Sequence, residues 1–364
     1  MIYKLSDLCD YVKEKIDVKE LTRKNYISTE NMLPNKRGIS IASSIPSILQ
    51  TQAFKKGDIL ISNIRPYLKK IWYAEYDGGC SNDVLVLRAK KGVNKQYLYY
   101  LLADDRFFDY AMAFSKGTKM PRGDKTAIMN YSVISFSNEK QDNIAEILNV
   151  LDKKIFINDK INRNLSAQVA AIYKAWFVDF KTNNGICPDD WKDGILGDIA
   201  EISSGKRPPM KQNDKTDDVC IPLVGAASIM GYTNAILYDS KILVIGRVGT
   251  HGVVQRFDQN CWPSDNTLVI TTDRYEFVNQ ILLGVDYESI NRGSTQPLIT
   301  QGDLKKIEII VPNDAVLDEF ENLAGGLMSQ YEKNVKENAK LSELRDSLLP
   351  KLMSGELDVS EMDL

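Results

Sequence analysis

The second half of this chain repeats the first at one constant offset, so whatever it folds into is built twice. Lys116-Gly117-Thr118 returns as Arg292-Gly293-Ser294, Pro121 as Pro297 and Val133-Ile134 as Ile309-Ile310. Leu151 returns as Leu327, Asn158 as Asn334, Asn162 as Asn338 and Leu165 as Leu341, each 176 residues on. About fifty residues pair this way without a gap. Before that stretch the offset drifts, to 181 for Cys80 and Cys261 and 183 for Ile59 and Ile242. Two copies of one unit are expected to build two similar, non-identical sites related by a pseudo-twofold.

Two kinds of segment alternate along the chain. Residues 1–138 and 183–312 mix short apolar runs with turn residues. Ile59-Leu60-Ile61, Val84–Leu87, Ile242–Ile245 and Thr267–Ile270 read as strands, with Lys56-Gly57-Asp58 and Asp77-Gly78-Gly79 as turns. Gln96–Phe108 and Arg274–Leu283 read as helices. The fold class expected is α+β: two globular α/β domains, each with a substantial sheet, separated by two long antiparallel coiled-coil helices.

The helical segments, 139–178 and 314–349, hold almost no Gly or Pro and carry a 3/4 apolar stripe. In the first the stripe is Ile144, Ile147, Leu151, Ile155, Asn158, Asn162, Leu165, Val169, Ile172 and Trp176. In the second it is Phe320, Leu323, Leu327, Tyr331, Asn334, Asn338, Leu341, Leu344 and Leu348. That spacing is a coiled-coil seam. At about 1.5 Å per residue, forty residues make a rod of roughly 60 Å. Such a helix cannot bury its stripe on a small domain alone, so the two are expected to pack on each other. The asparagines recur on the stripe in both copies. At a seam they fix register at a cost in stability, provided each amide finds a partner; beside it they face water. The seam is the reading preferred here. Pro350 is expected to stop the second helix, leaving an acidic, frayed tail from Asp358 to Leu364. The domains expected are thus 1–138, 139–182, 183–312, 313–357 and 358–364.

Bulk properties exclude several functions. No run of 18 apolar residues exists to cross a membrane, and the start, MIYKLSDLCDYVKEK, lacks a signal-peptide core. Five cysteines (Cys9, Cys80, Cys187, Cys220, Cys261) without CxxC spacing argue for a reducing cytoplasm and against structural zinc. The net charge is −3, but its distribution is uneven: +8 over 1–138, +1 over 139–182, −5 over 183–312 and −7 over 313–364. The first domain could meet a polyanion through overall charge, the second only through a local basic patch.

Catalytic constellations are missing. His251 is the only histidine, which excludes His-rich metal sites and His-pair mechanisms. Asn63-Ile64-Arg65-Pro66-Tyr67 loosely resembles the N-P-P-Y strip of adenine methyltransferases. Its third residue is Arg rather than Pro, and no Gly-rich loop for a methyl donor precedes it. Gly246, Gly249 and Gly252 imitate a phosphate loop without the Gly-Lys-Ser/Thr that a nucleotide pocket needs. The residues argue for a binding protein with no catalytic or metal site.

Candidate binding residues follow the strands in both copies. In the first, Asn63, Arg65, Tyr67, Lys69 and Lys70 follow one strand, and Lys116, Thr118, Lys119 and Arg122 form a second loop. In the second, Arg247, Thr250, His251, Gln255 and Arg256 follow the matching strand, with Arg292, Ser294, Thr295 and Gln296 in the matching loop. Lys206, Arg207 and Lys211 add a basic turn. Arg, Asn and Gln read base edges, whereas Lys, Ser and Thr more often hold phosphates. Any one of these could be a solvated surface charge; the argument is their recurrence at one place in both copies.

Four stretches carry a family resemblance. FKKGDILISNIRPYLKKIW at 54–72 and SKILVIGRVGTHGVV at 240–254 look like target-recognition motifs of the specificity subunit of Type I DNA restriction-modification systems. AIYKAWFVDF at 171–180 resembles the end of that family's central helix, and LRDSLLPKLMSGEL at 344–357 the end of its distal helix. The resemblance implies two target-recognition domains, each reading half of a bipartite double-stranded DNA sequence with an unread spacer between. It implies a non-catalytic chain. Two modification subunits would bind the outer faces of the helices and carry S-adenosylmethionine and adenine methylation. Restriction subunits would supply ATP- and Mg-dependent translocation and cleavage. The loops around Arg65 and Lys119 would read one half-site, those around Arg247 and Thr295 the other. The acidity of the second domain departs from this expectation.

Two other readings compete. A coiled-coil assembly adaptor explains the helices but not the recurring basic loops. A stand-alone DNA-modifying enzyme would methylate or cleave as the purified chain. On the specificity reading, half-sites one helical turn apart lie roughly 34 Å centre to centre on one face of the duplex, within reach of the helical rod. Lengthening both helices by one turn should therefore change the spacer and leave both half-site sequences intact when methylated sites are mapped. Altered half-site bases would overturn the ruler.

Overall fold

A computed structural model of the chain describes residues 2–134, 136–248, 252–292 and 298–359. It divides into two compact units, one of Met1–Asn158 with Lys336–Leu364 and one of Asp159–Val335. The cuts fall inside the two long helices, so each unit holds one mixed domain and a stretch of both helices.

In the first unit the principal sheet has the antiparallel order Cys9–Tyr11, Val84–Ala89, Ile59–Ser62, Ile71–Tyr73. The strand Ile59–Ser62 is buried along its whole length, because both of its faces are covered. Ile59, Ile61, Leu85 and Leu87 point into a core shared with helices, whereas Leu60, Val84 and Val86 point into a second core. This is the period of two that a strand imposes on its side chains. The second core is closed by another sheet, of order Lys15–Asp17, Gln50–Phe54, Gly78–Cys80, Tyr26–Ile27. The helix expected over Gln96–Phe108 is two helices, Lys95–Ala103 and Asp105–Ala113. Asp104 breaks it by taking extended backbone and accepting the Arg106 amide as the cap of the second.

The second unit repeats this plan. Its principal sheet has the order Glu201–Ser204, Thr267–Thr271, Ile242–Gly246, Gln255–Phe257, with the same two-sided burial. The ribbon Ile2–Lys4 with Ser132–Ile134 returns as Lys192–Ile195 with Glu308–Val311, and the partners Ile134 and Ile310 stand 176 apart. The outer sheet differs, with three strands among the described residues instead of four: Ile229–Thr233, Ile221–Val224 and Trp262–Pro263. The expected helix near Arg274 runs over Tyr275–Gly284.

The long helices span Asn138–Tyr173, followed by one π turn at Lys174–Val178, and Asp314–Ser354. They pair antiparallel within each unit, and the asparagines lie in the seam. In the first unit Asn158 Nδ2 donates to Asn338 Oδ1 at 2.8 Å and to Glu337 Oε2 at 2.7 Å. In the second, Asn334 Nδ2 donates to Asn162 Oδ1 at 2.8 Å. The offset that carries Asn158 to Asn334 carries Asn162 to Asn338, so each pair is the other with its members exchanged. Asn158, Asn162 and Asn334 are almost wholly buried, which excludes the water-facing alternative.

The rest of the stripe needs adjustment. Ile144 and Val169 are buried, and Leu151, Ile155, Leu165, Leu327, Leu341 and Leu348 are half-buried. Leu323 and Leu344 are exposed. Leu317, Phe320, Ala324 and Met328 fill the helix-side core of the second unit instead, a stripe one position away from Leu323 and Leu327. Where the seam meets the first domain, Asp152 accepts from Arg345 at 2.7 Å and from the Tyr100 hydroxyl at 2.8 Å.

Aromatic anchoring explains the 171–180 stretch: the Phe177 ring stands 4.8 Å from Phe277 and 5.1 Å from Phe320. The 344–357 stretch corrects the expectation at Pro350. The helix runs through this proline to Ser354, because Leu349, Leu352 and Met353 around it are buried in the first core. The helix ends instead at Gly355, which takes the left-handed conformation that glycine tolerates (φ 75°). The start of the tail is anchored, not frayed. Val359 is fully buried, and Asp358 pairs with Lys140 at 3.0 Å. Residues 360–364 lie outside the described residues.

Asn158→Ala removes the amide that Asn338 accepts and should lower the unfolding free energy by about 1–2 kcal/mol in urea titration. Asn158→Leu with Asn338→Leu should recover stability. An Ala variant as stable as wild type would show that the pair contributes nothing.

Candidate nucleic-acid interface

In the first unit the two loops expected to act together are cross-linked by backbone. The Arg65 amide donates to the Pro121 carbonyl at 2.8 Å, and the Gly123 amide to the Asn63 carbonyl at 3.1 Å. Lys116 and Arg122 exchange both of their hydrogen bonds at 2.9 Å, which closes the second loop into a narrow turn. Arg65 and Lys69 both stand in the left-handed region, at φ 52° and 49°, around the short helical turn Pro66–Leu68. Left-handed backbone is costly for side chains other than glycine and marks functional loops more often than inert ones.

The charges in these loops differ in how they are held. Lys116 pairs with Asp124 at 2.8 Å, Arg122 with Asp83 at 3.1 Å and Lys69 with Asp105 at 2.8 Å. The Lys116 ammonium, with the Ala127 and Thr126 amides, holds the Asp124 carboxyl down at about 2. Burial pushes against the charge of Asp105, but Lys36 and Lys69 override it and hold that carboxyl below its ordinary range. Lys70 donates to the Thr29 carbonyl at 2.6 Å. Its burial, with Arg65 beside it, holds the ammonium below the usual lysine range. Arg65 and Lys119 are exposed and make no ion pair among the described residues, and Thr118 and Tyr67 are exposed beside them. Asn63 is half-buried, its Oδ1 facing Gly123 without a hydrogen-bond partner.

The second unit rebuilds the same cross-link with other side chains. The Asn63 amide donates to Asp83 at 2.8 Å, and the Arg247 amide to Asn266 at 2.9 Å. The Ile299 amide donates to the Arg247 carbonyl at 3.0 Å, as Gly123 does to Asn63, and Arg292 donates to Leu298 as Lys116 does to Arg122. Arg247 thus stands where the first copy has Asn63. Arg292 pairs with Asp303 near the start of the following helix, as Lys116 pairs with Asp124. Lys206 and Arg207 are exposed on the turn after Glu201–Ser204. The Lys206 amide donates to Pro263 at 3.0 Å, so this turn and Arg247 bracket the segment Pro263–Asn266. Gly205 is required there, since a Cβ would come within 2.2 Å of the Ser264 carbonyl. Lys211 is exposed on a separate stretch.

Two candidates are turned inward. Gln255 Nε2 donates to the Gly225 carbonyl at 2.8 Å. Arg256 is a correction: its guanidinium pairs with Glu276 at 2.6 Å and Glu332 at 3.0 Å and lies over the Tyr275 ring, tying the domain to the distal helix. In sequence Arg256 is indistinguishable from Arg247; only its neighbours settle its role. Thr250, His251, Ser294, Thr295 and Gln296 lie outside the described residues. Sequence reasoning missed Lys36, Asp83, Asp105 and Asp303. The turn around Lys36 was legible in Pro34-Asn35-Lys36-Arg37-Gly38, but its partner lies 69 residues away.

The family model described as Type I restriction modification DNA specificity domain matches this chain twice, over residues 1–167 and 188–336. The MjaIX specificity subunit of a Type I restriction enzyme from Methanocaldococcus jannaschii is 24% identical, over 95% of this chain and 88% of its own length. The HindI specificity subunit of Haemophilus influenzae is 22% identical, over 98% of this chain and 99% of its own length. Among solved structures, a Type-I restriction-modification system S subunit from M. genitalium shares the fold at TM-score 0.62 and 17% identity, over 97% of this chain and 96% of that one.

Arg256→Met would leave the Glu276 carboxylate buried and unpaired, at a cost of about 3–5 kcal/mol in a denaturant melt. The bases recognised should not change. A stable variant with altered sequence preference would return Arg256 to the DNA-facing set.

Proposed function

The chain belongs to the Type I restriction-modification DNA specificity family, and from that membership we propose that its two domains read the two halves of a bipartite duplex sequence. The observation that carries this reading is the repeated backbone cross-link with exchanged side chains. One copy presents Asn63, Arg65 and Lys119; the other presents Arg247 at the Asn63 position, with Lys206 and Arg207 alongside. A common frame bearing different donors is what reading two different half-sites requires. The net charge of −3 does not oppose it, since a few exposed cations on a local face suffice to meet phosphates.

On this reading the chain contributes recognition and no chemical step. Methyl transfer from S-adenosylmethionine falls to two modification subunits, and ATP-driven translocation and cleavage to restriction subunits, all in the cytoplasm. Support for protein partners comes from the long helices. Val150 is 57% exposed, Phe156 55% and Ile157 51% on the stretch within the first unit. Apolar side chains of that size, left outside the seam, call for a partner surface to cover them. No described helix is long and apolar enough to cross a membrane.

Arg65→Ala should relax specificity at one half-site and Arg247→Ala at the other, each costing about 1–3 kcal/mol of binding if the contact is to a base. The readout is binding of the assembled complex to a panel of single-base variants of its target. Loss spread uniformly over all sequences would reassign both residues to phosphates. Unchanged binding by both would overturn the proposed sites.

A further inference from the structure

The geometry points to Asp105 as a built-in stand-in for a DNA phosphate, holding Lys36 and Lys69 together until the duplex arrives. This rests on the reading that the loops around Arg65 meet DNA. The turn Pro34–Gly38 is bound to the Arg65 loop by two backbone hydrogen bonds, Asn35 to Leu68 and Lys36 to Lys69, each at 2.9 Å. Asn35, Lys36, Arg65 and Lys69 are all left-handed, four of the six such non-glycine residues among those described. Strain of that kind, concentrated in one pair of loops, persists where the surroundings hold it for a purpose.

The strained backbone brings two ammonium groups onto one carboxylate. Lys36 and Lys69 each stand 2.8 Å from Asp105, one on each oxygen. Two donors converging on one anion with two oxygens also suit a phosphate. The three charges leave one positive charge uncompensated, and Arg37 and Arg65 are exposed nearby in the same loops. The Asp105 side chain is 54% exposed, that of Lys69 28% and that of Lys36 13%, so an anion from solvent reaches the pair from the Asp105 and Lys69 side.

Asp105 joins the first turn of the helix Asp105–Ala113 to both loops through these two lysines. It opens the helix Asp105–Ala113, but the cap of that helix is Asp104, which accepts the Arg106 amide. Among the described residues its ion pairs are with these two lysines alone. Asp124, by contrast, caps a helix as well as holding Lys116. A phosphate must displace the Asp105 carboxylate to reach the lysines. Non-specific binding is thereby weakened, and the base contacts of neighbouring side chains weigh more in the choice of site.

The test uses the full chain and a mixed-sequence duplex, with binding followed by fluorescence anisotropy across a sodium chloride series. Asp105→Asn should steepen the slope of log K against log salt by about 0.9, one further phosphate neutralised. If the two forms bind equally at 1 M salt, that slope makes the variant about eightfold tighter at 0.1 M. Glu20→Gln, an exposed acid in the same unit, controls for the change in net charge and should move the slope less. Lys69→Gln should flatten the slope by about 0.9, which keeps the idea testable if Asp105→Asn does not fold. A slope for Asp105→Asn equal to that of Glu20→Gln, or an unchanged slope for Lys69→Gln, would overturn the inference. No binding by any form would remove the reading it rests on, and the inference with it.

Discussion

Everything in this fold depends on an antiparallel pairing of two long helices whose register is set by buried amides. Each helix carries a stripe too long for one domain to cover, so burial requires the other helix. Apolar seams tolerate sliding; an asparagine does not, because a shifted amide loses its partner in a water-poor seam. Here the pairs are Asn158 with Asn338 and Asn334 with Asn162. Because the repeat exchanges them, one register satisfies all four residues. Charge then distinguishes the copies. Asp152 and Arg345 form an ion pair beside the first domain, and the offset carries them to Met328 and Val169, both buried in the helix-side core of the second unit. Pairing of either helix with its own equivalent would set a charge against an apolar side chain. The seam thus favours central against distal.

On that scaffold the domains keep a frame and vary its contents. The principal sheet, the two-stranded ribbon and the cross-link between loops recur. What changes is the outer sheet, with four strands against three among the described residues, and the side chains at the loops. Asn63 faces Gly123 in one copy; Arg247 takes the equivalent place in the other, with Ile299 where the first has Gly123. The drift in sequence offset therefore has a structural counterpart, since it falls where the two copies differ in strands and donors.

Much of this was legible in the residues. The repeat, the buried strands and the seam asparagines follow from periodicity, which records how a side chain is buried. Pro350 misled because its helix is held by Leu349, Leu352 and Met353, and a local rule does not see tertiary packing. The break at Asp104 was visible in principle, as a capping aspartate, but an apolar pattern runs across it. Charge partners were the least legible. Arg256 and Arg247 look alike in sequence, yet one is clamped by Glu276 and Glu332. The acids that hold Lys69 and Arg122 lie far along the chain from them.

The account stands most directly on a domain exchange. Residues 1–138 would be replaced by the equivalent segment of a relative with a different target, the helices left intact. N6-methyladenine would then be mapped in cells that also carry the modification subunits. The account predicts a hybrid target, with one half-site from the donor and the other half-site and the spacer retained. A target changed in both halves, or unchanged throughout, would contradict it.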